Sequence, residues 1–194
     1  VFAYLARAHV DQATFYYHTM SRPADAMPVR DEMRAAHYDV FGIRAVIAPR
    51  KAKLPPSVVI HRIHGRFAVF EAARDGFFGL VDVGGRFAGD ASQWTEVSTA
   101  WLRSPLPEAG VVESLDAGPA DLPAFEFGAP FPTPASECST PRGKIVSETR
   151  EGEAYAAEVN AARPCHVLVK FTWYPDLVAT VDGSPVALRR VTPG

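Results

Sequence analysis

The chain has only two cysteines in 194 residues, Cys138 and Cys165. Neither lies in a Cys-x-x-Cys pair or beside a glycine-rich turn, which excludes a thiol redox pair and a structural zinc cage. Two readings of the pair remain: one disulfide, contributing about 3 kcal/mol in an oxidising compartment by restricting the unfolded chain, or two thiols. No stretch approaches the roughly 18 to 20 uninterrupted apolar residues of a spanning helix, so the chain is expected to be water-soluble. Charge of one sign is also lacking. A formal net charge of -2 gives no long-range field for phosphate backbones or anionic lipid headgroups, and nucleic acid is not an expected partner. There is no Gly-x-Ser-x-Gly elbow, phosphate-binding glycine loop or His-Glu-x-x-His helix. No cofactor, metal or catalytic residue is expected. The chain opens at Val1 without a charged n-region and apolar h-region and stops at Thr192-Pro193-Gly194. These ends are expected to be cuts in a longer polypeptide, the alternative being a processed mature protein.

What is present favours a fold. Hydrophobic residues make up 47% and charged residues 22%, well away from the composition of disordered chains. The uneven spread of proline and glycine predicts two compact units. The expected class is α+β: a helix-plus-antiparallel-sheet unit over 1–104, a Pro-rich connection over 105–142, and a β-sandwich over 143–194, truncated at its C-terminal end. In the first unit, Val29, Met33, Ala36 and Val40 recur at helical spacing from Pro28 to Val40, with Asp31 and Glu32 near the N-terminal end and Gly42 as the stop. Strands are predicted over 43–48, 58–63, 66–71 and 77–83, with turns at His64-Gly65 and Asp75-Gly76. The prolines and glycines from Gly84 to Pro134 read as connection. Trp94, Trp101, Phe125, Phe127 and Phe131 predict that it lies against a domain surface, and 111–115 reads as a strand given to the second unit. From Gly143 the rhythm is strands over 144–149, 154–160, 166–172 and 177–181, with Asp182-Gly183 turning into a last strand over 185–191.

Candidate chemistry is sparse. His61 and His64 form the only close histidine pair, but i, i+3 spacing on a strand sends the rings to opposite faces unless the strand bends locally. Solvated turn histidines are the plainer reading. Asp31 with Glu32, and Glu151 with Glu153, are acid pairs of the kind that cleave glycosidic bonds, but a helix N-terminus and an exposed turn explain them as well. Trp173 and Tyr174, next to Asp176 and Asp182, are the candidates for carbohydrate contact. Aromatic faces stack on sugar rings and carboxylates accept hydroxyl hydrogen bonds; packing at a strand end is the competing reading.

The segment from His166 to Val186, with Trp173-Tyr174-Pro175, Val181-Asp182-Gly183 and then Pro193-Gly194, resembles the stretch that precedes the last span in YfhO-like proteins and related multi-spanning membrane glycosyltransferases. His37 to Pro49 and Arg66 to Glu71 resemble an upstream sheet region of the same proteins. This chain departs from that pattern in having Leu177 where the family places a Trp after the turn, with Trp173 lying earlier. The resemblance implies a periplasmic or cell-surface domain of a bacterial membrane protein, joined to the membrane through flanking spans. It further implies a carbohydrate-binding-module-like sandwich serving an enzyme of lipid-linked sugars, with glycan or lipid-linked sugar as partner. The catalytic acids of such an enzyme would lie outside this chain. A purely structural or protein-interaction role in the cell envelope is the alternative.

Overall fold

The computed structural model describes residues 31, 33–72, 76–116, 120–134, 141–170 and 176–193. It is mixed helix and sheet, with several small sheets and no barrel among the described residues. The first helix, α1, spans Ala35–Val40. It starts later than its periodicity predicts: the Asp31 carboxylate accepts from the Met33 amide at 2.8 Å, a local turn that competes with helix. Asp31 therefore precedes the helix, and Met33 is exposed. The stop falls at Gly42, whose φ is +58°. Ile43 N–H donates to Tyr38 O at 2.8 Å and Gly42 N–H to Asp39 O at 2.9 Å, the paired closure that a glycine in the left-handed region permits.

Three antiparallel strands follow, β1 (Ala45–Pro49), β2 (Val58–His64) and β3 (Phe67–Ala72), in the order β1-β3-β2. Alternation sends Val46, Ala48, Ala68, Phe70 and Ala72 to one face, where Tyr38 and Ile43 cover them. Tyr38 is 1% and Val46 0% exposed, so α1 seals this core. The opposite face stays open.

A longer strand, β4 (Phe78–Phe87), organises the second sheet. It continues through Gly84 and Gly85 because their missing side chains admit other backbone. A Cβ on Gly84 would lie 2.4 Å from Pro132 O, and one on Gly85 2.7 Å from Pro123 O. The expected loosening at this pair is therefore a close approach inside a strand. Beyond it, the Asp90 carboxylate accepts from Ser92 N–H at 2.8 Å and the Gln93 side chain accepts from Asp90 N–H at 3.3 Å. This reciprocal cap starts a 3₁₀ turn and then helix α2 (Trp94–Arg103). Val97, Ser98, Trp101 and Leu102 form its buried face, and the Trp101 indole N–H donates to Val111 O at 2.9 Å.

The stretch expected to be connection supplies much of the core instead. Helix α3 (Leu106–Ala109) leads into β5 (Val111–Ser114), and β6 is Ala124–Phe125. Both strands run parallel to β4, so the strand at 111–115 joins the sheet of the preceding segment. Val111, Val112, Leu115 and Phe125 are buried with Val81, Phe87, Val97, Trp101 and Leu102.

The C-terminal strands β7 (Gly143–Glu151), β8 (Ala154–Ala161), β9 (His166–Val169), β10 (Ala179–Val181) and β11 (Ser184–Val186) fall close to their predicted places. Among the described residues they do not form two facing sheets. β7 and β8 make one hairpin and β10 and β11 another, while β9 pairs antiparallel with β4 from Phe78–Val169 to Val81–His166. The predicted turn at Asp182-Gly183 is present, with φ of +50° and +78°, the double left-handed geometry of a two-residue hairpin loop. The chain then returns to β5: Leu115 N–H donates to Arg190 O and Thr192 N–H to Glu113 O, each at 2.9 Å.

Candidate functional site

The buried acids among the described residues lie on β4 and β5. Asp82, on β4 between the apolar Val81 and Val83, receives two arginines. Arg163 donates to both carboxylate oxygens at 2.8 Å, and Arg142 Nε donates to Oδ2 at 2.9 Å. The Asp82 side chain is 8% exposed. Hydrogen bonds from Arg163, opposed by burial and joined by those from Arg142, hold its carboxyl down at about 2. Arg142 also donates to Ala109 O at 2.7 Å. One carboxylate thus ties β4, the end of α3 and the turn between β8 and β9.

Beside this clamp lies a cavity of about 90 Å³ lined by Val40, Leu80, Trp101, Val112, Leu168 and Lys170, among others. Lys170 reaches it from the end of β9 over Gly79, where a Cβ would lie 2.9 Å from the lysine Cε. Its ammonium donates to Asp39 at 2.6 Å, and the lysine side chain is 2% exposed. Ligand pockets for small organic molecules run to about 300–1,000 Å³; this space suits a few waters.

Glu113 is the second buried acid among the described residues. It sits on β5 with 0% exposure, and neither carboxylate oxygen has a partner in hydrogen-bonding geometry. Its Oε1 lies under Gly84, 2.6 Å from where a Cβ would stand. Burial pushes this carboxyl up to about 8, with the Gly85 amide pulling it part of the way back. The group is therefore a neutral acid at pH 7, able to donate a proton.

Two further polar groups act at element ends. Arg34 binds Glu108 with Nε and a terminal nitrogen and donates to the carbonyls of Leu102 and Ser104, closing the C-terminal end of α2 with a cation. His37, 1% exposed, accepts from Asp31 N–H at Nδ1 (2.9 Å) and faces Leu102 O from Nε2 at 3.0 Å. Those partners place the proton of a neutral ring on Nε2.

The residues singled out from the sequence lie elsewhere. Asp176 and Asp182 are exposed, the second in the β10–β11 turn, while Trp173 and Tyr174 lie outside the described residues. Glu151 and Glu153 are exposed at the β7–β8 turn, and Asp31 is exposed with Glu32 outside the description. His61 and His64 are both exposed, and a register shift between Ile60 and Arg62 bends β2 at His61. His61 Nδ1 lies 3.7 Å from Glu71 Oε2, and among the described residues no group of three His, Cys, Asp or Glu side chains could hold a metal ion. Cys165 carries a free thiol that contacts Arg142 O at 3.8 Å; Cys138, its candidate disulfide partner, lies outside the described residues.

Sequence reading missed Asp82, Glu113, Lys170 and the two arginines. The signal for the first three was a charge inside or at the end of an apolar strand: Leu-Val-Asp-Val, Val-Val-Glu-Ser and Val-Leu-Val-Lys. Such a charge is buried only if it is paired or neutralised. Nothing local marks Arg142 or Arg163. Comparison with protein-family models, curated proteins and solved structures finds no match for the chain, and no helix among the described residues is long and apolar enough to cross a membrane.

Proposed function

We propose that the chain is a non-catalytic accessory domain of a bacterial membrane protein, of the YfhO-like or membrane glycosyltransferase kind, held on the extracytoplasmic face in the periplasm or at the cell surface. The observation that carries the non-catalytic reading is that the ion-paired side chains serve as ties between elements. Asp82 with its arginines, Arg34 with Glu108, and Lys170 with Asp39 each join separate elements, and the cavity beside them is too small for a sugar-sized ligand.

Glycan, free or lipid-linked, is the proposed ligand. Asp176 and Asp182 stand exposed on either side of β10, and Trp173 and Tyr174 precede Asp176 in the chain with Pro175 between. The two antiparallel hairpins, β7–β8 and β10–β11, support reading this part of the chain as the strand-rich accessory unit. Calorimetric titration with envelope oligosaccharides tests it. Millimolar or tighter binding is expected, weakened about tenfold by Trp173→Ala, since a stacked ring contributes roughly 1–2 kcal/mol. Absence of binding at millimolar ligand would overturn the glycan reading in favour of a structural or protein-interaction domain. Membrane spans encoded on either side of the chain would support attachment through flanking helices; their absence would count against it.

A further inference from the structure

The near-neutral chain segregates its charge. Between Arg44 and Ala72 lie six basic residues, Arg44, Arg50, Lys51, Lys53, Arg62 and Arg66, against one acid, Glu71. All six bases are exposed, and none forms an ion pair among the described residues. Four of them meet at one end of the β1-β3-β2 sheet. Pro49 and His64 both pair with Phe67, and Arg50 N–H donates to Arg66 O at 3.0 Å, so Arg50 and Lys51 stand beside the β2–β3 hairpin tip that carries Arg62 and Arg66.

That tip is also apolar on both faces. Ile63 pairs with the buried Ala68 and so points to the core side, yet it is 54% exposed because the core ends before it; Phe67 points the other way and is 41% exposed. The Arg66 guanidinium lies over the Phe67 ring, 5.2 Å from its centre. Exposed bulky apolar groups ringed by unpaired cations, on an exposed turn, match a bilayer interface, where rings and aliphatic chains enter the headgroup layer and long basic side chains reach the phosphates.

We propose that the β2–β3 hairpin tip, with Ile63 and Phe67 at its apex and Arg50, Lys51, Arg62 and Arg66 around them, docks on the surface of an anionic lipid bilayer. Strand addition by an acidic peptide along the β2 edge is the competing occupant. The bulge at His61 breaks the ladder such a strand would need, and a row of cations discourages edge pairing. Neither glycan binding nor flanking spans are required, so failure here leaves the proposed function standing, and failure of glycan binding leaves this inference standing.

The test is cosedimentation of the whole chain with vesicles of phosphatidylcholine alone or mixed with phosphatidylglycerol. Binding is expected only with phosphatidylglycerol and should fall with added salt. Arg62→Glu with Arg66→Glu should weaken it by about 25-fold or more, at roughly fivefold for each basic residue lost, and Ile63→Ser by several-fold. These side chains are exposed, so the fold should persist by circular dichroism; should the double variant unfold, Arg66→Gln alone and Phe67→Trp decide. The introduced indole should shift its emission to the blue with anionic vesicles and not with neutral ones. Absent binding to anionic vesicles, binding that all these variants leave unchanged, or retention on polyglutamate without vesicle binding would each overturn the proposal, the last in favour of an acidic protein.

Discussion

Asp82 and Glu113 are neighbouring acids with opposite fates, and the difference is what each one meets. Asp82 has two guanidinium groups and is held at about 2, below its ordinary 3.8. A depressed carboxyl stabilises the fold fully above the unfolded value and loses that contribution as pH falls towards 2. Stability measured by urea unfolding should therefore decline between about pH 4 and pH 2 by on the order of 2 kcal/mol. Asp82→Asn should show a correspondingly smaller acid dependence and lower stability at pH 7. Glu113 meets no cation and is raised from 4.5 to about 8. The unfolded chain ionises first, so this residue costs nothing below about pH 4.5 and progressively more as pH rises to about 8. Glu113→Met, similar in volume and without the charge, should equal the parent chain at pH 4 and exceed it at pH 8 by roughly 2–4 kcal/mol. A pH-independent difference would mean the carboxyl is not titrating in the fold.

At the scale of elements, Glu148 and Tyr155 fasten the β7–β8 hairpin to the start of β4. The Glu148 carboxylate accepts from Phe77 and Phe78 N–H at 2.8 and 3.0 Å, and Tyr155 meets the Phe77 ring edge-on at 5.0 Å between centres. Gly76 is required beneath it: φ is +82°, and a Cβ there would lie within 2.5 Å of the Glu148 carboxylate. Glu148→Ala should leave the two amides unpartnered, cost about 1–3 kcal/mol, and speed hydrogen exchange at Phe77 and Phe78 while leaving the Tyr38 core protected. Helix α2 gives a contrasting prediction. Trp101→Ala removes a 1% exposed ring and its bond to Val111 O, and calorimetry should show a loss of about 3–5 kcal/mol.

Most strands were legible because alternation and turn chemistry are local: β2, β3, β7, β8 and the Asp182-Gly183 hairpin fall near their expected residues. Helix α2 was not, since Trp94 and Trp101 sit among prolines and glycines that read as connection, and its start depends on the reciprocal cap between Asp90 and Gln93. The pairing of strands was hidden for a different reason. β9 has the same apolar pattern whether it joins β8 or β4, and only tertiary contact chooses. The charge clamps are equally non-local: Arg163 is 81 residues from Asp82. Whole-chain charge conceals a local segregation, because a formal balance of -2 averages over a basic sheet and the more acidic remainder, which separate only on counting by segment.

At the scale of the molecule, β4 is the common member. It pairs with β9 through its first residues and with β5 and β6 through its last. Leu168 anchors β9 against the core around Trp101 and Val112, so Leu168→Asp should detach the strand, lower the unfolding midpoint, and expose an apolar β4 edge detectable as concentration-dependent aggregation in light scattering. An unchanged midpoint would show that β9 contributes little to the sheet.

The pairing of Phe78 with Val169 also sets an order of events during synthesis. The β1-β3-β2 sheet and the β7–β8 hairpin close between neighbours in sequence and can form as soon as each has left the ribosome. The first half of β4 must wait until the chain has run on from Phe78 to Val169 before its partner arrives, and long-range pairing of this kind is slow. During that interval the nascent polypeptide carries an open strand edge built from Phe78, Leu80 and Val81, which makes the late-arriving β9 the step on which escape from misassembly depends.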